Sequence, residues 1–179
     1  WPRTQLAELN RKLGEAGASV IVWDIAFAEP DRTSPARLAA ALRQSGADSA
    51  GLAALEEMPD HDAVFAGSLA ERKVSLGWFL SNEGSAAPVE PKAGIAIAGT
   101  PPAMVPRFTN AIRPLPALEA AASGGGFVSI TNDGDAVVRQ IPLLAWQGDQ
   151  LQPALSLDAL RQAQDAGSIM VRTSDASGE

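Results

Sequence analysis

The run Ser19-Val20-Ile21-Val22-Trp23-Asp24-Ile25-Ala26-Phe27 constrains this chain more than any other stretch, because it is the longest run dense in β-branched and aromatic residues. Apolar residues fill nearly every position without the alternation of a half-exposed strand. The run therefore reads as a central strand covered by helices on both faces. Asp24 interrupts it. An ionised carboxylate is costly there unless paired or hydrogen-bonded, so Asp24 either finds a partner or sits at a strand end facing a crevice.

The flanking segments give the run an α/β setting. Leu6, Leu9, Leu13 and Ala16 recur on one helical face, which predicts an amphipathic helix over Thr4 to Ala16, with Gly17 as its left-handed stop. After Phe27, a proline-punctuated loop runs to Ser34, an N-cap candidate with Pro35 at the first helical position of a helix ending at Gln44. A weaker helical turn spans Leu52 to Glu57. Asp62 is the expected cap of a helix from Ala63 to Arg72. Val74 to Leu80 reads as a second strand, and two strands joined through helices imply a parallel crossover.

From Ser81 to Arg113 the chain is rich in Gly, Pro and Ala and reads mostly as loop, with a short apolar run at Ile95-Ala96-Ile97. A helix over Leu115 to Ala122 enters at Pro116 and stops at Gly124-Gly125-Gly126. Phe127 to Thr131 and Ala136 to Trp146 flank Asn132-Asp133-Gly134-Asp135, an antiparallel hairpin signal, because Asp-Gly suits the positive φ angles of a tight turn. Pro153 to Ala166 reads as a helix with Leu155, Leu157 and Leu160 inward, and Ile169 to Val171 opens a last strand. The expected fold is α/β: a mixed, mostly parallel sheet flanked by helices, with a C-terminal antiparallel hairpin, in one domain spanning residues 1–179.

Composition narrows the function classes. A net charge of −7 without a basic cluster argues against nucleic acid or an anionic membrane surface as the main partner. The absence of cysteine excludes disulfides, thiolate metal sites and cysteine nucleophiles. No apolar run approaches the about 18 residues that suggest a membrane span. The chain begins at Trp1, so it is expected to be a piece of a longer protein.

No motif carries an evident catalytic or metal chemistry. Gly124-Gly125-Gly126 leads from helix into strand, whereas phosphate-cradling loops lead from strand into helix. Asp60-His61-Asp62 holds metal-capable groups, but adjacent residues rarely converge on one ion, so no metal site is expected. Asn132 to Asp135 lacks the spaced ligands and the bidentate glutamate of a calcium loop. A serine triad would require His61, the single histidine, as base, and no nucleophile elbow is present. His61 reads instead as a dispensable solvated residue ahead of a helix cap. No catalytic residue and no cofactor is expected. Asp24 and Arg139 are the candidate structural or sensing residues. Each interrupts an apolar strand, and Arg is suited to a bidentate bond with a carboxylate. Alternatively, Arg139 reaches solvent along its stem while Asp24 accepts backbone N–H bonds at a strand end.

These residues also carry a resemblance. The helix ending at Gly17, the run Val20 to Asp31, Asp62-Ala63-Val64-Phe65-Ala66, Gly126-Phe127-Val128 and Val137-Val138-Arg139-Gln140-Ile141-Pro142-Leu143-Leu144 together resemble the CHASE2 family, in the same order and over nearly the whole chain. Family members usually carry Asp-Gly before Val-Val-Arg, whereas Asp135-Ala136 stands here. The resemblance implies a non-catalytic, extracytoplasmic sensory domain of a bacterial inner-membrane receptor, facing the periplasm. It implies membrane helices before Trp1 and after Glu179, a homodimer, and a cytoplasmic adenylate cyclase or sensor kinase as output. The family pattern runs on past Glu179, so the domain is expected to be truncated at its C-terminal end. The stimulus, a small molecule or an environmental signal, is unnamed. The other function class left open is a small soluble α/β enzyme using carboxylates such as Asp24 at a strand end.

Overall fold

Val74–Ser81 (β2), rather than the Ser19–Phe27 run, occupies the centre of the main sheet. The computed structural model describes residues 1–47, 50–88, 90–100, 104–129, 138 and 140–173. The nine-residue run contributes only the short strand Ile21–Trp23 (β1), which pairs with β2 and with no other described strand. On the other flank of β2 lies Gly124–Phe127 (β6), and both neighbours run parallel to it, in registers Ile21↔Val74 and Ser75↔Gly124. Asn110–Ile112 (β5) pairs antiparallel with the far end of β2.

The expected burial of the run on both faces does not hold. Ile21 and Trp23 point into the core, while Val22, between them, is 43% exposed. Strand pleating sends alternate side chains to opposite faces, and only one face of β1 is fully covered. That face meets the helices Arg3–Glu15 (α1) and His61–Ala70 (α4), which pack against each other, and Pro116–Ala121 (α5), which packs against α4. Leu6, Ile21, Trp23, Phe27, Phe65, Leu69, Leu76 and Leu118 form this core. Trp23, Phe27 and Phe65 meet edge to face with ring centroids 5.1–6.0 Å apart, the arrangement that aromatic quadrupoles favour.

The opposite face is covered by one helix, Leu155–Ala163 (α6), packed on β6 and β2. Its inward face differs from the leucine face expected. Leu155, Asp158 and Gln162 are buried and Leu160 is 54% exposed. Asp158 accepts from the Ser75 hydroxyl at 2.5 Å, from Gln162 Nε2 at 2.9 Å and from Arg161 Nε at 2.8 Å, so the buried carboxylate is both paired and hydrogen-bonded. The triple glycine makes the contact possible. Gly124 to Gly126 are strand, not a helix stop. A Cβ on Gly124 would strike the Asp158 carboxylate, and one on Gly126 would lie 2.6 Å from the Ala154 carbonyl oxygen.

Pro35–Gln44 (α2) matches its expected range, and Ala50–Glu56 (α3) follows it. The stretch read as loop contains Gly94–Ala98 (β3), which pairs parallel with Ser168–Arg172 (β9), and Arg107–Phe108 (β4). β4 runs parallel to Leu144–Gln147 (β7), which forms an antiparallel hairpin with Gln150–Pro153 (β8). The pairings are thus mostly parallel, spread over three sheets, with the antiparallel hairpin in the C-terminal part. Its turn is at Gly148-Asp149. The Asn132–Asp135 turn expected from the sequence lies outside the described residues, and the strand ends meant to flank it pair elsewhere, Phe127 with Trp78 and Leu144 with Pro153.

Candidate functional site

Among the described residues two features bear on function: a polar clamp at the start of α1 and a crevice at the carboxyl ends of β1 and β6. The clamp is built from Arg3. Its backbone N–H donates to Asp31 Oδ2 at 2.7 Å, its Nε to Asp62 Oδ1 at 3.3 Å, and its Nη2 to the Glu29 carbonyl at 3.2 Å. The guanidinium also lies 4.3 Å from the Phe27 ring centroid, within cation–π range. Asp62 in turn accepts the Asp31 N–H at 2.9 Å. Asp62 is therefore not the helix cap expected. Asp60 caps α4 by accepting from the Ala63 N–H at 3.1 Å, while Asp62, one turn-face away, is buried against Arg3.

Burial pushes the Asp31 carboxyl up, but the N–H groups of Arg3 and Thr33, the Thr33 hydroxyl and His61 together hold it down at about 2. Bonds to the charged form outweigh desolvation. His61 is correspondingly not a free loop residue. Its backbone N–H donates to the Ser34 hydroxyl at 3.1 Å, and its Nδ1 faces Asp31 Oδ2 at 3.3 Å and Thr33 Oγ1 at 3.2 Å. A nucleophilic triad engages both ring nitrogens, one towards the orienting carboxylate and one towards the hydroxyl. Here one nitrogen meets both groups, and the Thr33 hydroxyl donates to Asp31 Oδ1 at 2.8 Å, so the arrangement braces a loop. Among the described residues no three carboxylate or imidazole groups are grouped to hold a metal ion.

The crevice has a volume of about 300 Å³. Val22 and Asp24 form one wall, Phe127 and Val128 the other, with Ile141 and Leu155 completing its apolar surface. It lies where α6, packed mainly on β6 and β2, covers the second face of β1 only in part and leaves Val22 exposed. Gly77 lies beneath. A Cβ there would meet Trp23 O at 3.0 Å, Val128 Cγ1 at 3.3 Å and Leu155 Cδ2 at 3.4 Å, so the bare glycine lets β1, Val128 and α6 approach β2 closely. Ser129 is committed to the sheet, accepting from the Leu80 N–H at 2.6 Å and donating to the Leu80 carbonyl at 3.1 Å.

Asp24 lies just past the end of β1, exposed, at the rim of this crevice, and its carboxylate forms no ion pair or hydrogen bond with another described residue. Asp24 thus sits at a strand end facing a crevice, without, among the described residues, the backbone N–H bonds that the strand-end alternative expected. Arg139, its expected partner, lies outside the described residues. Sequence reasoning missed Arg3 and the inward-facing Asn10, whose Nδ2 donates to the Ser68 carbonyl at 2.8 Å and whose Oδ1 accepts from Trp23 Nε1 at 3.3 Å. Both are polar residues on a helix whose leucines drew attention to a neighbouring stripe. Asn10 is fully buried, while Leu9 and Leu13 are 36% and 38% exposed. The usable signal was the pair Arg3 and Asn10 themselves, seven residues apart and so on one helical face.

Comparison with known proteins yields one match: the family model for the CHASE2 domain covers residues 1–177. No curated protein and no solved structure matches the chain. Residues of the segments that carry the resemblance lie in both features. Phe27, Asp31 and Asp62 contact Arg3, Phe65 packs on Phe27, and Phe127 and Val128 line the crevice. No helix among the described residues is long and apolar enough to cross a membrane. The chain belongs to the CHASE2 family, extracellular sensory domains of receptors rather than catalysts.

Proposed function

We propose that this chain is the extracytoplasmic signal-input domain of a bacterial inner-membrane receptor, and that it regulates a cytoplasmic adenylate cyclase or kinase as part of a homodimer. The observation that carries this reading is the clamp. Arg3 ties the first turn of α1 to the loop after β1 and to the first turn of α4 through Asp31, Asp62 and Glu29. A displacement of the chain at Trp1 therefore moves two elements of the core together rather than fraying a helix end. In this reading a membrane helix precedes Trp1, others follow Glu179, and the signal is a change in the packing of two input domains.

The full-length protein in membranes tests this. Arg3→Ala is expected to uncouple output from stimulus, seen as cyclase or kinase activity that no longer varies with growth conditions, while the protein remains in the membrane. A full-length protein that sediments only as a monomer at every concentration, or whose gene encodes no hydrophobic segments beside residues 1–177, overturns the reading.

A further inference from the structure

We infer that the crevice at the ends of β1 and β6 binds a small organic cation, a primary amine with a short branched or aromatic body. The inference rests on the sensory reading only for its biological use. The binding itself follows from the geometry. A space of about 300 Å³ lies at the lower end of ligand pockets, which run from about 300 to 1,000 Å³, so it suits a small molecule rather than a peptide or a second protein surface. Its position is the crevice outside the carboxyl ends of parallel strands on either side of β2, where open α/β sheets bind ligands.

The chemistry of the occupant follows from the lining. Val22, Phe127, Val128 and Ile141 offer an apolar surface, and Val22 and Ile141 remain 43% and 60% exposed although neither is needed at the surface for solubility. Asp24 is the one formally charged group among the described lining residues, and its carboxylate has no partner among the described residues. Against apolar walls, water screens a carboxylate less than on open surface, so a cation seated there is held more firmly than elsewhere on this acidic molecule. An ammonium at Asp24 with its hydrocarbon body against Val22 and Ile141 satisfies both features. An anion of the same shape satisfies only one and is repelled by the other.

The test is a titration of the isotope-labelled chain, followed by amide chemical shifts, with three isosteres: isopentylamine, isopentyl alcohol and isocaproate. Saturable shifts at Val22, Asp24 and Val128 are expected with the amine. Its affinity should exceed that of the alcohol by roughly two- to fivefold, the value of one partly exposed ion pair, with isocaproate weakest. Asp24→Asn should erase the difference between amine and alcohol, and Ile141→Ser should weaken both. The inference is overturned by isocaproate binding as well as the amine, by an amine preference that survives Asp24→Asn, or by no saturable shift with any of the three. Binding is read on the chain alone, so its failure leaves the sensory reading intact, and uncoupled output in the membrane-embedded protein leaves the binding intact.

Discussion

Arg3 shows how much one side chain can organise. It enters from the first helical turn, lies over the Phe27 ring and bonds to Asp62, whose side chain is 10% exposed. Asp62→Ala should therefore destabilise the chain by about 3 kcal/mol, because the Arg3 guanidinium loses its only carboxylate partner among the described residues and the Asp31 N–H loses its acceptor. The double replacement Arg3→Ala with Asp62→Ala should cost less than the sum of the two single changes. Urea unfolding of the four proteins measures that coupling, and additive losses would dissolve the pair as an energetic unit. Asp31 supplies a pH signature. Its folded carboxyl sits at about 2 against an ordinary 3.8, so it contributes stability that is fully present above about pH 4 and is lost as pH falls towards 2. Thermal melts between pH 2 and 5 should show a steeper acid loss for the natural chain than for Asp31→Asn.

At the scale of elements, the glycine strand and α6 depend on each other. Gly126→Ala places a methyl group 2.5 Å from the Ala154 carbonyl carbon, a backbone atom that no rotamer change can move, and should destabilise by about 3 kcal/mol. Gly67→Ala is the contrast. Gly67 is an exposed residue of α4 with nothing within 4 Å of its missing Cβ, so the same substitution should stabilise by about 0.5–1 kcal/mol through helix propensity and a less free unfolded chain. Equal effects at the two sites would mean that close packing of β6 is not what the glycines serve. At the end of α5, Lys92 donates to the carbonyls of Glu119, Ala120 and Ala122, a cation placed against the negative end of a helix. Burial nonetheless lowers its pKa.

Across the whole molecule, stability is expected to be unevenly spread. β2 is bonded on both flanks and its side chains from Val74 to Trp78 are buried, whereas β3 and β9 pair only with each other among the described strands and expose most of their side chains. Hydrogen exchange should find the β2 amides protected to the level of global unfolding and the β3–β9 amides exchanging through local opening. Equal protection in the two sheets would contradict this division. The crevice lies beside the stable part, where a ligand would bear on β1, β6 and α6 together.

The boundaries of α1, α2 and β2, the mostly parallel pairing and the family were all legible in the chain, because caps, prolines and apolar periodicity act between near neighbours. Pro35 at the first helical position opens a helix and Gly17, at a φ of 89°, closes one whatever lies beyond, although the Ser34 hydroxyl accepts from the His61 N–H rather than capping the helix. Tertiary structure alone decided which strand is central, which faces are buried and which aspartates are partnered. Asp158 is inward because Ser75, 83 residues away in sequence, offers it a hydroxyl across a glycine strand. Asp24, in the more apolar setting, stays exposed just past the end of β1, at the rim of a crevice that α6 covers only in part. Burial and pairing depend on what long-range contacts bring alongside, and local patterns of polarity cannot encode the identity of a neighbour that distant.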